Sequence, residues 1–101
     1  RLLDGARITI DRMRGSTHPR YADTVYPLDY GYLAGTTGGD GAEVDVWIGS
    51  LPEQGLAAVV CTVDPRKQDV EVKLLLGCTR EEEQTILAFH VGAMLVRRPD
   101  Q

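Results

Sequence analysis

The sequence predicts a mainly β fold: a small closed or half-closed barrel of about five strands, with one helix near the C-terminal end. Short segments that alternate apolar and polar residues, or that are almost continuously apolar, are separated by turn residues, as strands are. After Thr79 the period changes to that of a helix. In 101 residues these elements fit a single domain, residues 1–101, and an open α+β sheet is the alternative.

The predicted strands differ in how much of each face they bury. Residues 56–63 are almost continuously apolar, which indicates burial on both faces. Residues 69–76 alternate, so we expect Val70 and Val72 to point inward and Glu71 and Lys73 to lie on the other face. The predicted strands cover residues 6–12, 25–33, 43–49, 56–63, 69–76 and 93–98.

The helix has a clear predicted start. Thr79 followed by Glu82 is a capping box, and three consecutive glutamates, residues 81–83, suit the positive end of the helix dipole. A broad apolar stripe follows from Ile86 to Val91. Gly92 is the expected end of the helix.

Composition narrows the class of protein. The longest apolar runs are too short to span a bilayer, and no signal segment opens the sequence. We therefore expect a cytoplasmic protein, in which Cys61 and Cys78 are reduced core thiols. A single disulfide is the alternative. Residues 1–20 carry a net charge of +3 and residues 21–101 a net charge of −7. This division suits an anionic ligand held through cations better than nucleic acid, which favours a contiguous basic face.

Residues 26–49 contain many of the side chains that could form a functional site. Three of the four tyrosines lie in the first seven of these residues, a glycine-rich loop comes next at 35–41, and an acid-bearing strand follows. Alternation places Glu43, Asp45 and Trp47 on one face of that strand. A strand that buries one face and holds acids on the other is either a solvent-exposed strand or a cation site.

The acids form two groups along the sequence. Mg²⁺ takes oxygen ligands, usually one or two carboxylates together with water and substrate phosphates, so two acidic turns at one barrel mouth could bind it. Solvent-exposed turn acids are the commoner outcome. Arg20 and Lys73 could bind phosphate, or could simply be a loop charge and a partner of Glu71. The tyrosines could be ordinary barrel residues, and the spacing of His18 and His90 indicates no site. The two acidic groups are Asp40, Glu43 and Asp45, and Asp64, Asp69 and Glu71.

Two motifs resemble a known family. YPLDYGYL, followed after a glycine-rich turn by DGAEVDVW, resembles the signature of family I soluble inorganic pyrophosphatases, which carry Tyr-Pro-x-x-Tyr-Gly and then Asp-Gly-Asp-Pro-x-Asp-Val. The resemblance covers residues 8–76. It implies a five-stranded OB-like barrel with helical additions, and Mg²⁺-dependent hydrolysis of inorganic diphosphate. The family's Asp-Gly-Asp is Asp40-Gly41-Ala42 here, so the water-activating carboxylate of the family is replaced by alanine.

The resemblance also implies roles for single residues. Asp11 falls on an acidic position of the family, and Asp69 is the alternative to Glu71 as a metal ligand if the turn is aligned without a gap. Tyr30 and Glu43 take catalytic roles, Glu43 as the candidate replacement base near Ala42. Metal would be held by Asp40, Asp45, Asp64 and Glu71, and phosphate would be held or oriented by Arg20, Tyr26, Tyr30 and Lys73.

Three function classes remain open at this level. The leading hypothesis is an inorganic pyrophosphatase, a hydrolase that uses Mg²⁺ and attacks pyrophosphate with water. The alternative is a catalytically impaired relative that binds a phosphorylated ligand or a protein partner. An OB-type nucleic-acid module fits least, because the expected site face is acidic. We expect no membrane partner, and the apolar last strand is compatible with a homo-oligomer.

Overall fold

The structure, a computed structural model, describes residues 2–3, 6–35, 43–90 and 92–97. Seven strands form one sheet in the order β1-β2-β3-β4-β6-β5-β7. Every described neighbour pair is antiparallel except β4 and β6, which are parallel. The elements are β1 (Leu2–Leu3), β2 (Ala6–Arg12), β3 (Asp29–Ala34), β4 (Val44–Ile48), β5 (Leu56–Asp64), β6 (Asp69–Leu76), α1 (Arg80–Phe89) and β7 (Met94–Arg97).

The prediction of a mainly β fold with one C-terminal helix is confirmed. The sheet is open, as in the alternative, and is not a closed five-stranded barrel. After α1 the chain returns to pair β7 with β5, which lengthens the sheet at one edge. The pairing of β1 with β2 lengthens it at the other edge. Within the described residues these two edge strands do not pair with each other, so the sheet does not close.

The tyrosine-rich segment is only partly a strand. We predicted a strand over residues 25–33, and β3 begins at Asp29. Residues 13–28 instead form an excursion between β2 and β3, held by the backbone of Tyr26: its N–H donates to Ser16 (2.9 Å) and its carbonyl accepts from Gly15 (2.8 Å). This excursion sets Tyr26 beneath the sheet rather than in it. The predicted turn at 51–55 contains a short 3₁₀ helix, Pro52–Gln54.

The main core lies between one face of the sheet and α1, and we call this face the helix face. Trp47, Leu75 and Ile86 are all fully buried there. Burying such side chains contributes roughly 1.5–3 kcal/mol each. Both faces of β4 are covered, because Val46 is as fully buried as Trp47. The core cluster is Tyr26, Leu28, Trp47, Ala58, Val60, Leu75, Cys78 and Ile86.

The predicted orientation of β6 is wrong at its N-terminal half. Val70 and Val72, expected to point inward, are 65% and 47% exposed, whereas Lys73 is only 7% exposed. The reason is the register with β4, which places Lys73 beside Asp45 on the helix face. Alternation alone cannot tell which face of a strand the helix will cover.

The predicted capping box is present and also anchors the helix to the sheet. Thr79 Oγ1 accepts from the Glu82 N–H (3.1 Å), and the Thr79 N–H donates to Glu82 Oε1 (2.8 Å). The same carboxylate accepts from the Ser50 N–H just after β4 (3.1 Å). These hydrogen bonds lower the pKa of Glu82 although burial opposes the shift. The helix ends at Phe89 with His90 as its C-cap, before the predicted stop at Gly92.

Cys61 and Cys78 are both free, as expected, and they do not form the alternative disulfide. Burial, together with the nearby carboxylates of Glu82 and Glu83, raises the pKa of the Cys78 thiol to about 12. Cys78 is therefore a protonated core residue at neutral pH. Among the described residues, no helix has the length and apolar character needed to cross a bilayer.

Candidate active site

The site is centred on the buried ammonium group of Lys73. Its Nζ lies 2.9 Å from Asp45 Oδ2, 2.9 Å from the Tyr30 hydroxyl and 3.4 Å from Glu71 Oε1. Two strand pairings produce this arrangement: β4 sets Asp45 beside Lys73, and β3 sets Tyr30 beside Trp47 on the same face. Two groups distant in the sequence, Asp45 and Tyr30, thus converge with the neighbouring Glu71 on one cation.

Tyr30 completes the cluster as both donor and acceptor. Its hydroxyl donates to Asp45 Oδ2 (2.6 Å) and accepts from Lys73 Nζ. Burial, reinforced by the bond to Asp45, raises the pKa of Tyr30 well above its usual range. The pKa of Lys73 is also raised: burial opposes this shift, but the contacts with Tyr30 and Asp45 outweigh it. At neutral pH the cluster therefore holds a charged ammonium and a neutral phenol.

An aromatic layer supports this cluster from below. Trp47 lies 4.6 Å from Tyr30 and 5.3 Å from Phe89, measured between ring centroids. Tyr26 contacts the same rings at 5.7–5.9 Å. The tilted and edge-on arrangement is the one that aromatic quadrupoles favour. The packing leaves the side chains of the ionic cluster little room to move.

His90 joins the aromatic layer to the site, a role that the spacing of the histidines in the sequence did not indicate. The Trp47 indole N–H donates to His90 Nε2 at 3.1 Å. An accepting Nε2 assigns the proton of the neutral ring to Nδ1. Burial, helped by the positive charge of Lys73, lowers the pKa of His90 to about 4. The only sequence signal was the spacing of four residues from Ile86, which places both on one side of the helix.

A cavity of about 360 Å³ opens beside Lys73. We call it the Lys73 pocket. Its acidic wall comes from the hairpin between β5 and β6, and its aromatic wall comes from the C-terminal end of α1. The pocket brings together all three acids of the second predicted group with a cation and a histidine that the sequence did not indicate. Its lining includes Asp64, Asp69, Glu71, Lys73, Phe89 and His90.

The hairpin acids differ in how they are held. Asp64 and Asp69 are direct partners at the end of the β5/β6 ladder. Asp64 Oδ1 also accepts from the backbone N–H groups of Arg66 and Lys67, at 3.1 and 3.4 Å, which stabilises the tight turn. Among the described residues, the Glu71 carboxylate contacts Lys73, and the Glu71 side chain is 48% exposed. Oxygen atoms at this end of the pocket thus remain accessible to a ligand.

Comparison with protein-family models gives one match. The inorganic pyrophosphatase model aligns with residues 2–90 of the 101-residue chain. The chain belongs to the inorganic pyrophosphatase family. Comparisons with curated proteins and with solved structures returned no match.

Membership of the pyrophosphatase family raises the question of where Mg²⁺ would bind. Among the described residues, no three His, Cys, Asp or Glu side chains lie close enough together to hold a metal by themselves. The pocket nevertheless supplies carboxylate oxygens, the donor type that Mg²⁺ prefers, and Mg²⁺ commonly uses one or two carboxylates with substrate oxygens and water. The donor set therefore fits the metal in its chemistry. Asp40, a predicted ligand, lies outside the described residues, as does Ala42.

Four other predicted site residues lie away from the Lys73 pocket or at its margin. Tyr26 is 8% exposed and belongs to the aromatic layer. Arg20 is exposed on the excursion, where its backbone N–H donates to His18 Nδ1 (3.0 Å). Asp11 is exposed beside a bulge in β2 and lines a different cavity of about 410 Å³. Glu43 is exposed just before β4. The roles of these residues stay predictions.

Proposed function

We propose that the chain is a Mg²⁺-dependent enzyme that hydrolyses inorganic diphosphate to two phosphates in the Lys73 pocket. One observation carries the proposal: a buried ammonium, Lys73, at the edge of an acid-lined pocket in a pyrophosphatase-family chain. A point charge with three donors suits phosphate oxygens. The carboxylates suit the cation that must accompany so anionic a substrate. We expect the activity to be cytoplasmic.

The chain's own groups would bind and orient the substrate. Lys73 would donate to a phosphate oxygen in place of Glu71, its most distant partner at 3.4 Å. It would keep Asp45 and Tyr30, since an ammonium has three N–H groups. Tyr30 would hold the ammonium in position and keep its own proton, because its pKa is raised. Arg20 and Tyr26 would hold or orient phosphate, as the family resemblance implies. The rigid aromatic layer would limit motion of the reacting groups.

The acidic residues would hold the metal. Asp45, Asp64 and Glu71 would supply carboxylate oxygens, with Asp69 as the alternative to Glu71 and with Asp40 from the preceding loop. Mg²⁺, when bound, neutralises phosphate charge and makes water in the site more acidic.

Hydrolysis also requires a base. The oxygen of a water molecule attacks one phosphorus, the bond from that phosphorus to the bridging oxygen breaks, and the proton of the water must be accepted. Alanine at position 42 cannot accept it. Glu43 would serve instead, since it is exposed and two residues from Asp45. General-base catalysis typically contributes about 10²–10⁴-fold.

The test is phosphate release from diphosphate in the presence of Mg²⁺. We expect Lys73→Met to lower kcat/KM by about 10²–10³-fold, as the loss of a buried electrostatic donor does. Asp45→Asn should reduce the rate to background. Lys67→Met is the matched control, because Lys67 is the other lysine of the chain, is exposed and lies on the turn outside the pocket. Wild-type release no faster than that of Asp45→Asn would rule out the enzyme.

A binding protein without turnover is the second candidate, and a specific observation favours it. Ala42 replaces the family's water-activating carboxylate, and Asp45 is already engaged by Lys73 and Tyr30. Titration calorimetry with Mg²⁺ and a non-hydrolysable diphosphate analogue tests this candidate. Saturable heat without phosphate release supports binding alone, whereas no heat and no release contradict both candidates.

A further inference from the structure

His90 stands where the Lys73 pocket meets the aromatic layer, and the reaction as proposed does not use it. It lines the pocket together with Lys73 and the acids of the β5/β6 hairpin. Its ring lies edge-on to those of Trp47 and Phe89, with centroid distances of 5.7 and 5.2 Å. The imidazole is therefore a polar group that aromatic neighbours hold at the wall of the candidate site.

The backbone of His90 fixes the position of the ring as well. His90 is the C-cap of α1, and its N–H donates to the Ile86 carbonyl at 3.2 Å. Its own carbonyl accepts from the Ala93 N–H, also at 3.2 Å. A residue whose main-chain groups are both bound and whose ring is packed by two others has little freedom left to lose when a ligand binds.

One hydrogen bond decides which nitrogen of the ring can act on a ligand. An indole N–H can only donate, so Nε2 accepts the 3.1 Å hydrogen bond from Trp47. An accepting Nε2 leaves the proton of the neutral ring on Nδ1. Burial and the nearby charge of Lys73 lower the pKa of His90 to about 4, so the ring is neutral at physiological pH. The ring therefore offers one uncharged donor, Nδ1–H.

This donor is accessible. In the part of the chain that the structure describes, Nδ1 has no hydrogen-bond partner. Every buried side-chain nitrogen or oxygen in that part does have a partner, so Nδ1 is within reach of solvent. Because Nε2 faces the indole, Nδ1 lies on the side of the ring that Trp47 leaves open. A molecule in the Lys73 pocket can use this N–H.

The surroundings of the donor indicate the class of ligand. Hydrogen bonds are strongest when the acceptor oxygen carries negative charge, as phosphoryl oxygens do. A neutral ring can bind the same anion as Lys73 without the repulsion that a second cation would bring. The same tautomer excludes another role: with Nδ1 protonated and Nε2 occupied, the ring cannot accept the proton of the attacking water.

We propose that Trp47 positions His90 so that Nδ1–H donates to a phosphoryl oxygen of diphosphate bound in the Lys73 pocket. His90 is then a substrate-binding residue, and Trp47 is a positioning residue that acts through it. This assignment rests on the proposed function, because it requires diphosphate to bind in that pocket.

Side-chain proton–nitrogen NMR spectra of the intact chain test the positioning, at about pH 8.5, where an unperturbed imidazole is neutral. The chain has two histidines, and His18 is the internal comparison, because its Nδ1 accepts from the Arg20 N–H at 3.0 Å. We expect the proton on Nδ1 in His90 and on Nε2 in His18. Adding Mg²⁺ with a non-hydrolysable diphosphate analogue should shift the His90 Nδ1–H resonance. A His90 ring protonated on Nε2 would overturn the proposal.

Two variants at position 90 separate the donor from the rest of the side chain. Glutamine carries both an acceptor for Trp47 and a donor for the ligand, whereas methionine offers only a weak acceptor and no donor. We expect His90→Met to raise the Kd of the analogue, measured by calorimetry with Mg²⁺, by about 10–100-fold, as the loss of a hydrogen bond to a charged group does. The KM for diphosphate should rise in parallel with little change in kcat. His90→Gln should retain most of the affinity.

A matched control and the wild type keep the test decisive. Gln84→Met makes a similar change on α1, at an exposed position outside the pocket, and should bind like the wild type. Wild-type binding with an unchanged Kd in His90→Met would overturn the role of His90 and leave the proposed function standing. No binding and no phosphate release by the wild type would overturn both. The NMR measurements use the wild type, so they decide the matter even if His90→Met fails to fold.

Discussion

Lys73 ties together residues that are 28 and 43 positions away in the sequence, Asp45 and Tyr30. Removing it would leave a partly buried carboxylate with only a phenol as partner. Breaking a buried pair on one side commonly costs about 3–5 kcal/mol. Arginine is not an equivalent replacement, because its planar guanidinium is larger and has a fixed donor geometry. The ammonium is therefore structural as well as available to a ligand.

The lowered pKa of His90 predicts that the stability of the chain depends on pH. Its pKa is about 4 in the folded chain and 6.5 when unperturbed, so between these values the unfolded state binds a proton that the folded state does not. The stabilising contribution is complete above pH 6.5 and is lost as the pH falls towards 4. We expect urea unfolding to show a larger loss of stability from pH 7 to 5 in the wild type than in His90→Gln.

Other titratable groups that face His90 also affect how stability depends on pH. Asp45 and Lys73 act on its pKa in opposite directions, and acids of the β5/β6 hairpin line the same pocket. Their own protonation occurs in both proteins, so only the difference between wild type and His90→Gln reports the histidine. Equal pH dependence in the two proteins would contradict the assignment of a buried neutral ring.

At the residue scale, three of the predicted site residues lie together in the structure, although the contacts between them could be predicted only in part. Asp45, Glu71 and Lys73 were identified as site residues, and the pairing of Lys73 with Glu71 follows from their positions two apart on one strand. The bond from Lys73 to Asp45 could not be predicted, because it depends on the parallel register of β4 and β6. That register is set by the path of the chain through β5, which local patterns do not encode.

At the scale of elements, α1 is bound to the sheet at two points near its N-terminal end. Its first turn is bound by the capping box and by Ser50 after β4. Along its length, the fully buried Glu83 pairs with Arg97 on β7, with 2.8 Å from Glu83 Oε1 to both Nε and a terminal guanidinium nitrogen. The edge strand therefore depends on the helix, and the helix on the edge strand.

The ion pair between Glu83 and Arg97 leads to a prediction about the stability of the chain. Arg97→Met removes the cation that pairs with the buried Glu83 carboxylate and should lower the free energy of unfolding by about 3 kcal/mol. Denaturant unfolding measures the change. The double variant Arg97→Met with Glu83→Met should recover much of the loss, because it removes the buried charge itself. A single variant as stable as the wild type would show that water reaches Glu83.

The elements that were predicted best are those whose boundaries are determined by residues nearby in the sequence. The helix start at Thr79 was correct because the capping box lies within four residues. Strands β2 and β6 matched residues 6–12 and 69–76. The prediction for the tyrosine-rich segment failed because its backbone is held by hydrogen bonds across the excursion. These hydrogen bonds have no local sequence signature.

At the scale of the whole molecule, barrel closure was the main error, and its cause is topological. A strand count cannot distinguish a sheet whose ends meet from one whose ends remain apart. Here β7 joins β5 and β1 joins β2, so both additions extend the sheet. The result has two chemically distinct faces: one carries the Lys73 pocket beneath α1, and the other exposes apolar side chains of β6 and β7, such as Val72 and Met94.

Ligand binding should stabilise the whole chain if the pocket functions as proposed. At a ligand concentration of 100 Kd, linkage adds about 2.7 kcal/mol. For a domain of this size that raises the melting temperature by roughly 10–20 °C. We expect this shift with Mg²⁺ plus a non-hydrolysable diphosphate analogue in a thermal melt, and only a small shift with Mg²⁺ alone. Lys73→Met should abolish the large shift, whereas Lys67→Met should preserve it.

The position of Trp47 gives the molecule an intrinsic optical reporter. Trp47 is the only tryptophan of the chain, is fully buried, and shares a hydrogen bond with a residue that lines the pocket. Nearly all emission excited at the red edge of the absorption band therefore comes from one indole beside the candidate site. A molecule entering the Lys73 pocket would alter the surroundings of that chromophore directly, so occupancy can be followed in the unlabelled protein.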